Sequence, residues 1–523
     1  MAQEKNPFIE KVSIWLPLLL GITLAGGMLI GIRLDPSQPV MLVKDEESYS
    51  ESGQGKIEEL LRYVEAKYVD EVDREELVDK AIEQILTELD PHSVYFTEEE
   101  VRQVNEQLDG NFNGIGIEFL IVDDTLVVVT PLSGGPSEAA GILPGDKIVE
   151  VEDSVITGAD LDVRRVKEML RGKKGTPVEI GIVRGEEQEI RHFTIIRDKI
   201  PWKSVDVAYM LDERTGYIKI SRFSATTYEE FMQSLEHLID RENMSDLIID
   251  LRKNPGGYLP QATNILNQLF MRKDKLLVYT EGRNVSRMDY ESTGRAFFDI
   301  GEVAILIDEG SASASEIMAG AVQDHDRGII VGRRSFGKGL VQEQYKLRDG
   351  SALRLSVARY YTPSGRSIQR DYKDREQYES DFLERLDSGE LTAMEYAGPS
   401  DSTRYYTYGG RVVYGGRGIT PDIFVPLDTL VLNEQFLELR SIIDDFAFLH
   451  IEENTEDFAD PDLDRFRSAY TVEDELMTAF LDYARERGVV YESFPLREEG
   501  SALVKKWMKA YLARYLFEDE GFF

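Results

Sequence analysis

Val303–Gly320, "VAILIDEGSASASEIMAG", places an apolar run, a polar turn and a second apolar period side by side. The run Val303–Ile307 predicts a strand, and the spacing from Glu316 onward predicts a helix. Ser311, Ser313 and Ser315 then lie in a tight strand-to-helix turn, where an α/β protein displays ligand-facing atoms. Ser313-Ala-Ser-Glu316 also reads as a capping box, with serine at N-cap and glutamate at N3. The turn therefore carries two readings, a nucleophile and a cap.

Around this stretch, from about Pro201 to Asp428, strand-like and helix-like runs alternate: "TGYIKI", "TYEEFMQSLEHLI", "SDLIIDL", a helix around 260–270, "EVAILI", "SEIMAGAVQ" and "RGIIVG". Such alternation predicts an α/β core with parallel strands, here assigned to 198–428. Residues 371–400 interrupt it with an acidic stretch, read as a solvated insertion. Residues 429–523 carry amphipathic stretches at 431–450, 472–486 and 501–517 and read as a helical C-terminal domain, with dimerisation and packing as alternative roles.

Upstream, Ile57, Leu60, Leu61, Val64 and Tyr68 share one helical face, and Val78, Ala81, Ile82, Ile85 and Leu89 another. They predict a small helical domain over 55–110 that contains "DPHS". From Asn111 the period changes to two: "GIGIEFLIVDDTLVVVTPL" reads as two strands about an Asp-Asp turn, with further strands to residue 197. This β-rich module resembles a PDZ domain. Gly114, Ile115, Gly116 and Ile117 stand in the place of its carboxylate-binding loop, followed by "LPGDKIVEV". Glycines there let backbone N–H groups converge on an anion, and the adjoining strand edge accepts an extended peptide.

Val12–Ile32 is free of charge and long enough to span a hydrocarbon core, which predicts a membrane anchor, with a cleaved signal peptide as the alternative, within an N-terminal segment 1–54 that ends in a polar tether. The short segment before the span implies a cytoplasmic N-terminus. The expected location is therefore the inner membrane, single-pass, with a periplasmic body. The 523 residues exceed one core. The 97 acidic against 60 basic residues, a net charge of −37, speak against nucleic-acid binding. Absence of cysteine excludes disulfides and thiol catalysis.

A serine nucleophile needs a base within reach and donors for the oxyanion. His325 follows Ser313 by twelve residues, about 18 Å of helix, and cannot return to the turn. His92, His192, His237 and His450 stand in other regions, so a Ser-His-Asp triad is disfavoured. Lys338, between two glycines in "RRSFGKGLVQ", is a different solution, because a parallel strand after the serine's helix brings the chain back to the same sheet edge. Burial would lower its pKa and free the lone pair. Gly332–Lys338 also matches most of a phosphate-binding loop, but Gly339 replaces the Ser/Thr and the following residues look extended. The oxyanion donors would be the Ala314 N–H and an N–H of Gly256 or Gly257 in "DLRKNPGGYL".

The series "DLRKNPGGYL", "EGSASASEIMAGAVQD", "VGRRSFGKGLVQ", "RYYTPSGRSIQ" and "GGRGITPDIFVP" behind a PDZ module is similar to the carboxy-terminal processing peptidases, the Ser-Lys proteases of the tail-specific protease family. The resemblance covers about 55–430. It implies a multidomain α/β protein with a crotonase/Clp-protease-like core and a serine endopeptidase activity without metal or cofactor. It implies Ser313 as nucleophile, Lys338 as base and Gln342 as the supporting glutamine. Extended chain would separate Gln342 from Lys338 by about 13 Å, so contact needs a bend, which Gly339 permits. Ser311 and Ser315 are then local turn and cap residues, and Asp324 is not expected to act in catalysis. The implied substrates are polypeptides with apolar free C-termini, gripped by the PDZ module. Arg171 is a candidate for PDZ gating, its alternative being a solvated charge. A homodimer and an adaptor protein are the further candidate partners. The competing class is a catalytically silent PDZ scaffold, and the terminal "EGFF" is a candidate ligand for the chain's own PDZ module, or a site of trimming.

Overall fold

The computed structural model describes residues 54–158, 161–185, 187, 189–392, 403–491 and 494–523. The expected span 12–32 and most of its tether lie outside the described residues. Among the described residues no helix is long and apolar enough to cross a membrane. The chain divides into two compact units, 1–81 and 82–523.

In the first unit, α1 (Gln54–Lys67) and the beginning of α2 (Arg74–Thr87) are tied by Arg74, which pairs with Glu58 at 2.9 Å and Glu65 at 2.8 Å. Leu61 is buried, whereas Ile57, Leu60 and Tyr68 of the same predicted face are exposed.

The second unit begins within α2 and continues with β1 (Val94–Phe96) and α3 (Glu98–Asp109). Thr97 and Glu100 close a capping box on α3, and Gly110, at φ 69°, ends it. The PDZ-like module follows: β2 (Asn111–Gly114), β3 (Ile117–Val122), β4 (Thr125–Pro131), α4 (Pro136–Ala140), β5 (Lys147–Val151), β6 (Ser154–Val155), α5 (Val163–Leu170), β7 (Pro177–Val183), β8 (Arg191–Ile196) and β9 (Asp198–Pro201). Asp123 and Asp124 make the β3–β4 turn, both at positive φ, which aspartate tolerates. The sheet runs β3-β4-β5-β7-β8, and β2 pairs with β9. Its core gathers Leu126, Val128, Ile148, Ile180 and Ile182, with Val166 and Leu170 of α5. β3 is left at an edge of the sheet.

The α/β core contains β10 (Val205–Met210), β11 (Thr215–Ile220), α6 (Thr227–Asp240), β12 (Asp246–Asp250), α7 (Leu259–Leu269), β13 (Lys273–Glu281), β14 (Met288–Thr293), β15 (Val303–Ile307), α8 (Ala314–Asp324), β16 (Ile329–Gly332), β17 (Leu340–Lys346) and β18 (Ala352–Tyr361). Later come α9 (Arg375–Glu379), α10 (Asp381–Asp387), β19 (Arg404–Tyr406), β20 (Val412–Tyr414) and β21 (Ile423–Phe424). One sheet runs β10-β11-β12-β15-β16-β21, parallel from β11 onward, as the strand-helix alternation predicts. Every residue of α8 is buried, so the helix after the serine turn is central rather than peripheral. A second, antiparallel sheet, β1-β18-β13-β14 with β17 on β18, brings the segment after "DPHS" against the core.

In the 371–400 insertion, described to residue 392, most acids are exposed, among them Asp371, Glu376, Glu379 and Glu384, but one side packs inward. Tyr378, Arg385 and Leu391 are buried, and Glu390 pairs with Arg334 at 2.7 Å and Arg385 at 2.9 Å. Glu390 thus serves two arginines, one of them outside the segment.

The helical tail, α11 (Glu434–Glu453), α12 (Leu463–Ala469), α13 (Asp474–Glu486) and α14 (Glu498–Phe522), has its own core around Phe436, Phe480, Val504 and Met508. It also packs on the PDZ-like module, where Phe448 meets Val122 and Val127 and Arg514 pairs with Glu118 at 2.6 Å. The last residue, Phe523, lies under the Lys219 ammonium, and its carbonyl oxygen accepts from the Tyr209 hydroxyl at 3.3 Å. The terminal "EGFF" thus ends against β10 and β11, not at the glycine loop of its own PDZ module.

Candidate active site

The serine turn is fixed from both sides. Ser311 Oγ donates to the Leu251 carbonyl at 2.8 Å and accepts the Asp308 N–H at 2.9 Å, while Ser315 Oγ donates to the Asn254 carbonyl at 3.0 Å. Both are buried turn-holding residues. Ser313 between them is half-buried and has φ 54° and ψ −112°, a backbone conformation a non-glycine residue rarely adopts. It occupies the N-cap of α8, and Glu316 Oε2 accepts its N–H at 2.9 Å. The cap and nucleophile readings are therefore compatible: the glutamate holds the backbone of Ser313, and Ser313 lines a cleft of about 610 Å³.

β16 runs parallel to β15 and returns the chain to the same edge, so Lys338 lines that cleft too. Its Nζ donates to Gln342 Oε1 at 2.8 Å. The bend this contact requires is a bulge, a register shift between Val341 and Gln342 in the β17–β18 ladder. Gln342 Nε2 in turn donates to the His92 carbonyl oxygen. Asp90 fixes that loop by accepting from Ser93 Oγ at 2.6 Å and Ser356 Oγ at 3.1 Å. Burial lowers the Lys338 pKa below its ordinary value, the Arg354 guanidinium adding to the effect and Glu316 and Asp90 opposing it. No ion pair holds this ammonium among the described residues.

Two residues that sequence reasoning missed join the serine and lysine segments. Glu316 is fully buried and accepts from Ser335 Oγ (2.5 Å), Gly337 N–H (2.7 Å) and Lys338 N–H (2.8 Å) besides Ser313. Desolvation outweighs these donors and pushes its pKa up to about 7. Tyr360, buried in β18, points its hydroxyl at the carbonyl oxygens of Ser313 (3.0 Å) and Lys338. In the sequence Glu316 stood out only as N3 of a capping box, and Tyr360 only as part of the "RYYTPSGRSIQ" run, with no role at the site attached to either. His92 was dismissed as a base, and its contribution is a backbone oxygen. Its ring shares a hydrogen bond with the Tyr378 hydroxyl at 2.6 Å, and burial lowers its pKa to about 4.

Of the two glycines, Gly256 gives its N–H to Asn254 Oδ1 at 2.9 Å. The Gly257 and Ala314 N–H groups have no partner among the described residues. Gly256 instead provides closeness: a Cβ there would lie 2.7 Å from Ser313 Cβ. Lys338, Gln342, Ser313, Ala314 and the two glycines are thus gathered at one sheet edge. His325 lies away from it, its Nε2 2.6 Å from the Leu276 carbonyl oxygen. Arg333 and Arg334 of the phosphate-loop match pair with Glu309 and Glu390, and strand β17 follows where that motif needs a helix.

In the PDZ-like module Gly114 ends β2 and Ile117 begins β3, with Gly116 at φ 72°. The Ile115 and Gly116 N–H groups have no partner among the described residues, and the Ile115 carbonyl is held by Ser137 Oγ at 2.7 Å. Arg171 caps the end of α5, pairs with Glu106 of α3 at 3.6 Å and lies over the Phe112 ring at 4.9 Å. Asn105 and Leu108, beside Glu106 on that helix, line the serine cleft.

Residues 214–375 match the model "Peptidase family S41", 113–192 "PDZ domain", 23–100 "Activating protease CtpB N-terminal domain" and 435–518 "Family of unknown function (DUF8443)". The carboxy-terminal processing protease CtpB of Bacillus subtilis is 34% identical over 370 residues, 67% of this chain and 75% of that one. A carboxy-terminal-processing protease of Bartonella bacilliformis is 36% identical over 315 residues, 60% of this chain and 71% of that one. The solved photosystem II D1 C-terminal processing protease aligns with 73% of this chain and 91% of its own, at 26% identity and a TM-score of 0.36. With a PDZ domain ahead of a peptidase core and a relative matched over three-quarters of its length, this chain belongs to the carboxy-terminal processing serine proteases of peptidase family S41.

Proposed function

We propose that Ser313 and Lys338 act as a nucleophile-base dyad. Neutral Lys338 takes the Ser313 Oγ proton as the oxygen attacks the scissile carbonyl, and the Ala314 and Gly257 N–H groups receive the oxyanion. The tetrahedral intermediate expels the amine, which takes the proton from Lys338 and leaves an acyl-ester. Water, deprotonated by Lys338, attacks that ester, and Ser313 recovers its proton when the acid product leaves. Gln342 orients the lysine through Oε1 and is itself held by the His92 carbonyl. The observation that carries the reading is a half-buried lysine with no acid partner among the described residues, hydrogen-bonded to Gln342 and facing the same cleft as a serine at positive φ.

The PDZ domain takes the substrate's free carboxylate at the Ile115 and Gly116 N–H groups and its apolar end between the β3 edge and α5, with Arg171 linking that domain to α3 beside the cleft. Residues 12–32 anchor the chain in the inner membrane with the body in the periplasm. A second copy of the chain or an adaptor belongs to the same reading, and the mass of the full chain in solution tests the former.

The test uses the full chain in detergent with an unfolded protein ending in apolar residues, products being read by mass spectrometry beside Ser313→Ala and Lys338→Ala. Cleavage lost in both variants is expected. Cleavage retained by Ser313→Ala would overturn the assignment, and none by the unmodified chain would return the scaffold reading.

A further inference from the structure

In a chain with 97 acidic residues, the serine cleft is lined by no carboxylate among the described residues, yet Lys338 and Arg354 both line it. Lys338 is accounted for by the chemistry. Arg354 projects from β18, where it faces Val94 of β1 across the sheet. Its polar contact is Nη2 donating to Gln344 Oε1 at 3.1 Å, and its guanidinium lies 4.8 Å from the Phe96 ring centre. Gln344 is steadied by Asn105 at 3.4 Å. The buried Arg334 and Arg366 meet acids, Glu390 and Asp324, while Arg327 is satisfied by three backbone carbonyl oxygens. Arg354 forms no ion pair among the described residues, and its surroundings penalise its charge.

A guanidinium stays protonated and presents donors in a planar fork suited to a carboxylate. Here one edge of the fork is fixed by Gln344, one face rests on an aromatic ring, and the side chain lines the cleft that contains the serine. We propose that Arg354, positioned by Gln344 and Phe96, is a subsite for a carboxylate of the polypeptide substrate close to the scissile bond, giving the protease a preference for an acidic residue there in addition to the C-terminal recognition by its PDZ domain. The assignment rests on the cleft being the peptidase site. The carboxylate comes from an Asp or Glu side chain or from a chain end, and the two are separable.

The experiment uses the full chain and fluorogenic peptides with amidated C-termini, differing only by Glu or Gln at successive positions flanking the cleaved bond. One position is expected to favour Glu in kcat/KM by about tenfold, the size of one charge-assisted hydrogen-bonded contact. Arg354→Gln should bring that ratio to about one, with Arg354→Lys between, whatever the absolute rates. A ratio that survives in Arg354→Gln, or a protein indifferent to Glu and Gln at every position, overturns the subsite. If Arg354 only supports Phe96, both peptides slow equally and the ratio stands. A second pair, free acid against amide, assigns the carboxylate to a chain end if that pair alone shows the Arg354-dependent ratio. Should no peptide be cleaved, the dyad reading fails separately. The Kd ratio of the same peptides on Ser313→Ala, with and without Arg354→Gln, still decides the subsite.

Discussion

The Glu316 carboxylate accepts the backbone N–H of Lys338 at 2.8 Å, and the same group accepts the backbone N–H of Ser313 at 2.9 Å. Ser313 and Lys338, the proposed nucleophile and base, are therefore registered through shared buried side chains, Glu316 and Tyr360. Replacing Glu316 by Gln puts amide hydrogens against donors that now meet an oxygen. Each unsatisfied group costs about 1–3 kcal/mol, so a clear fall in melting temperature is expected together with at least a tenfold fall in kcat. Thermal unfolding and kinetics on one preparation check this, and a destabilised protein with unaltered kcat would show that other contacts keep the register.

The rate should depend on pH through Lys338. Its neutral form is the proposed base, and burial lowers its pKa from 10.5, so kcat/KM should rise with pH along a limb centred below that value. His92, with a pKa lowered to about 4, is neutral above pH 5 and adds no limb there. Gln342→Glu sets a carboxylate against the ammonium, favours the charged form and moves the limb to higher pH. A pH profile identical to that of the unmodified chain would contradict the contact between the two side chains.

Gly256→Ala tests the oxyanion geometry. The new Cβ would press on Ser313 Cβ and lie 2.8 Å from the Ala312 carbonyl oxygen, at φ 98°. Displacement of the neighbouring Gly257 and Ala314 donors should lower kcat by about 10²–10³. Affinity for a C-terminal peptide at the PDZ domain should change little, which isothermal titration would measure.

The 371–400 segment gives a stability prediction. Arg334→Met leaves Glu390 buried with only Arg385, and breaking such a pair costs about 3–5 kcal/mol. The double variant Arg334→Met/Glu390→Leu should recover part of that loss. Denaturant unfolding of both decides; equal stability of the single and double variants would deny the pair its role.

The strand-helix order made the sheet legible, and with it the return of Lys338 to the end of the sheet where Ser313 sits. Gln342 was legible only as a residue needing a bend, because a bulge is a property of the ladder and not of "LVQEQ" alone. Glu316 was hidden by a sufficient local explanation: a capping glutamate at N3 accounts for itself without reference to residues 335–338. The His92 carbonyl lies 250 positions from Gln342, and no local pattern reports such a pairing. Nothing in "ALRLSVARYY" sets Arg354 apart from its neighbours. Composition of 371–400 did not single out Glu390, whose two arginine partners a window average does not pair.

The tail domain closes on the face of β3 opposite α5, with Phe448 against Val122 and Val127 and Arg514 on Glu118. The recognition domain of this protease is consequently not an interchangeable cassette. Cut out, it would carry a bare greasy patch; replaced by another PDZ domain, it would need both a matching apolar pair and an acid opposite Arg514. Chimeras designed to redirect the protease should therefore exchange the PDZ domain and the tail together.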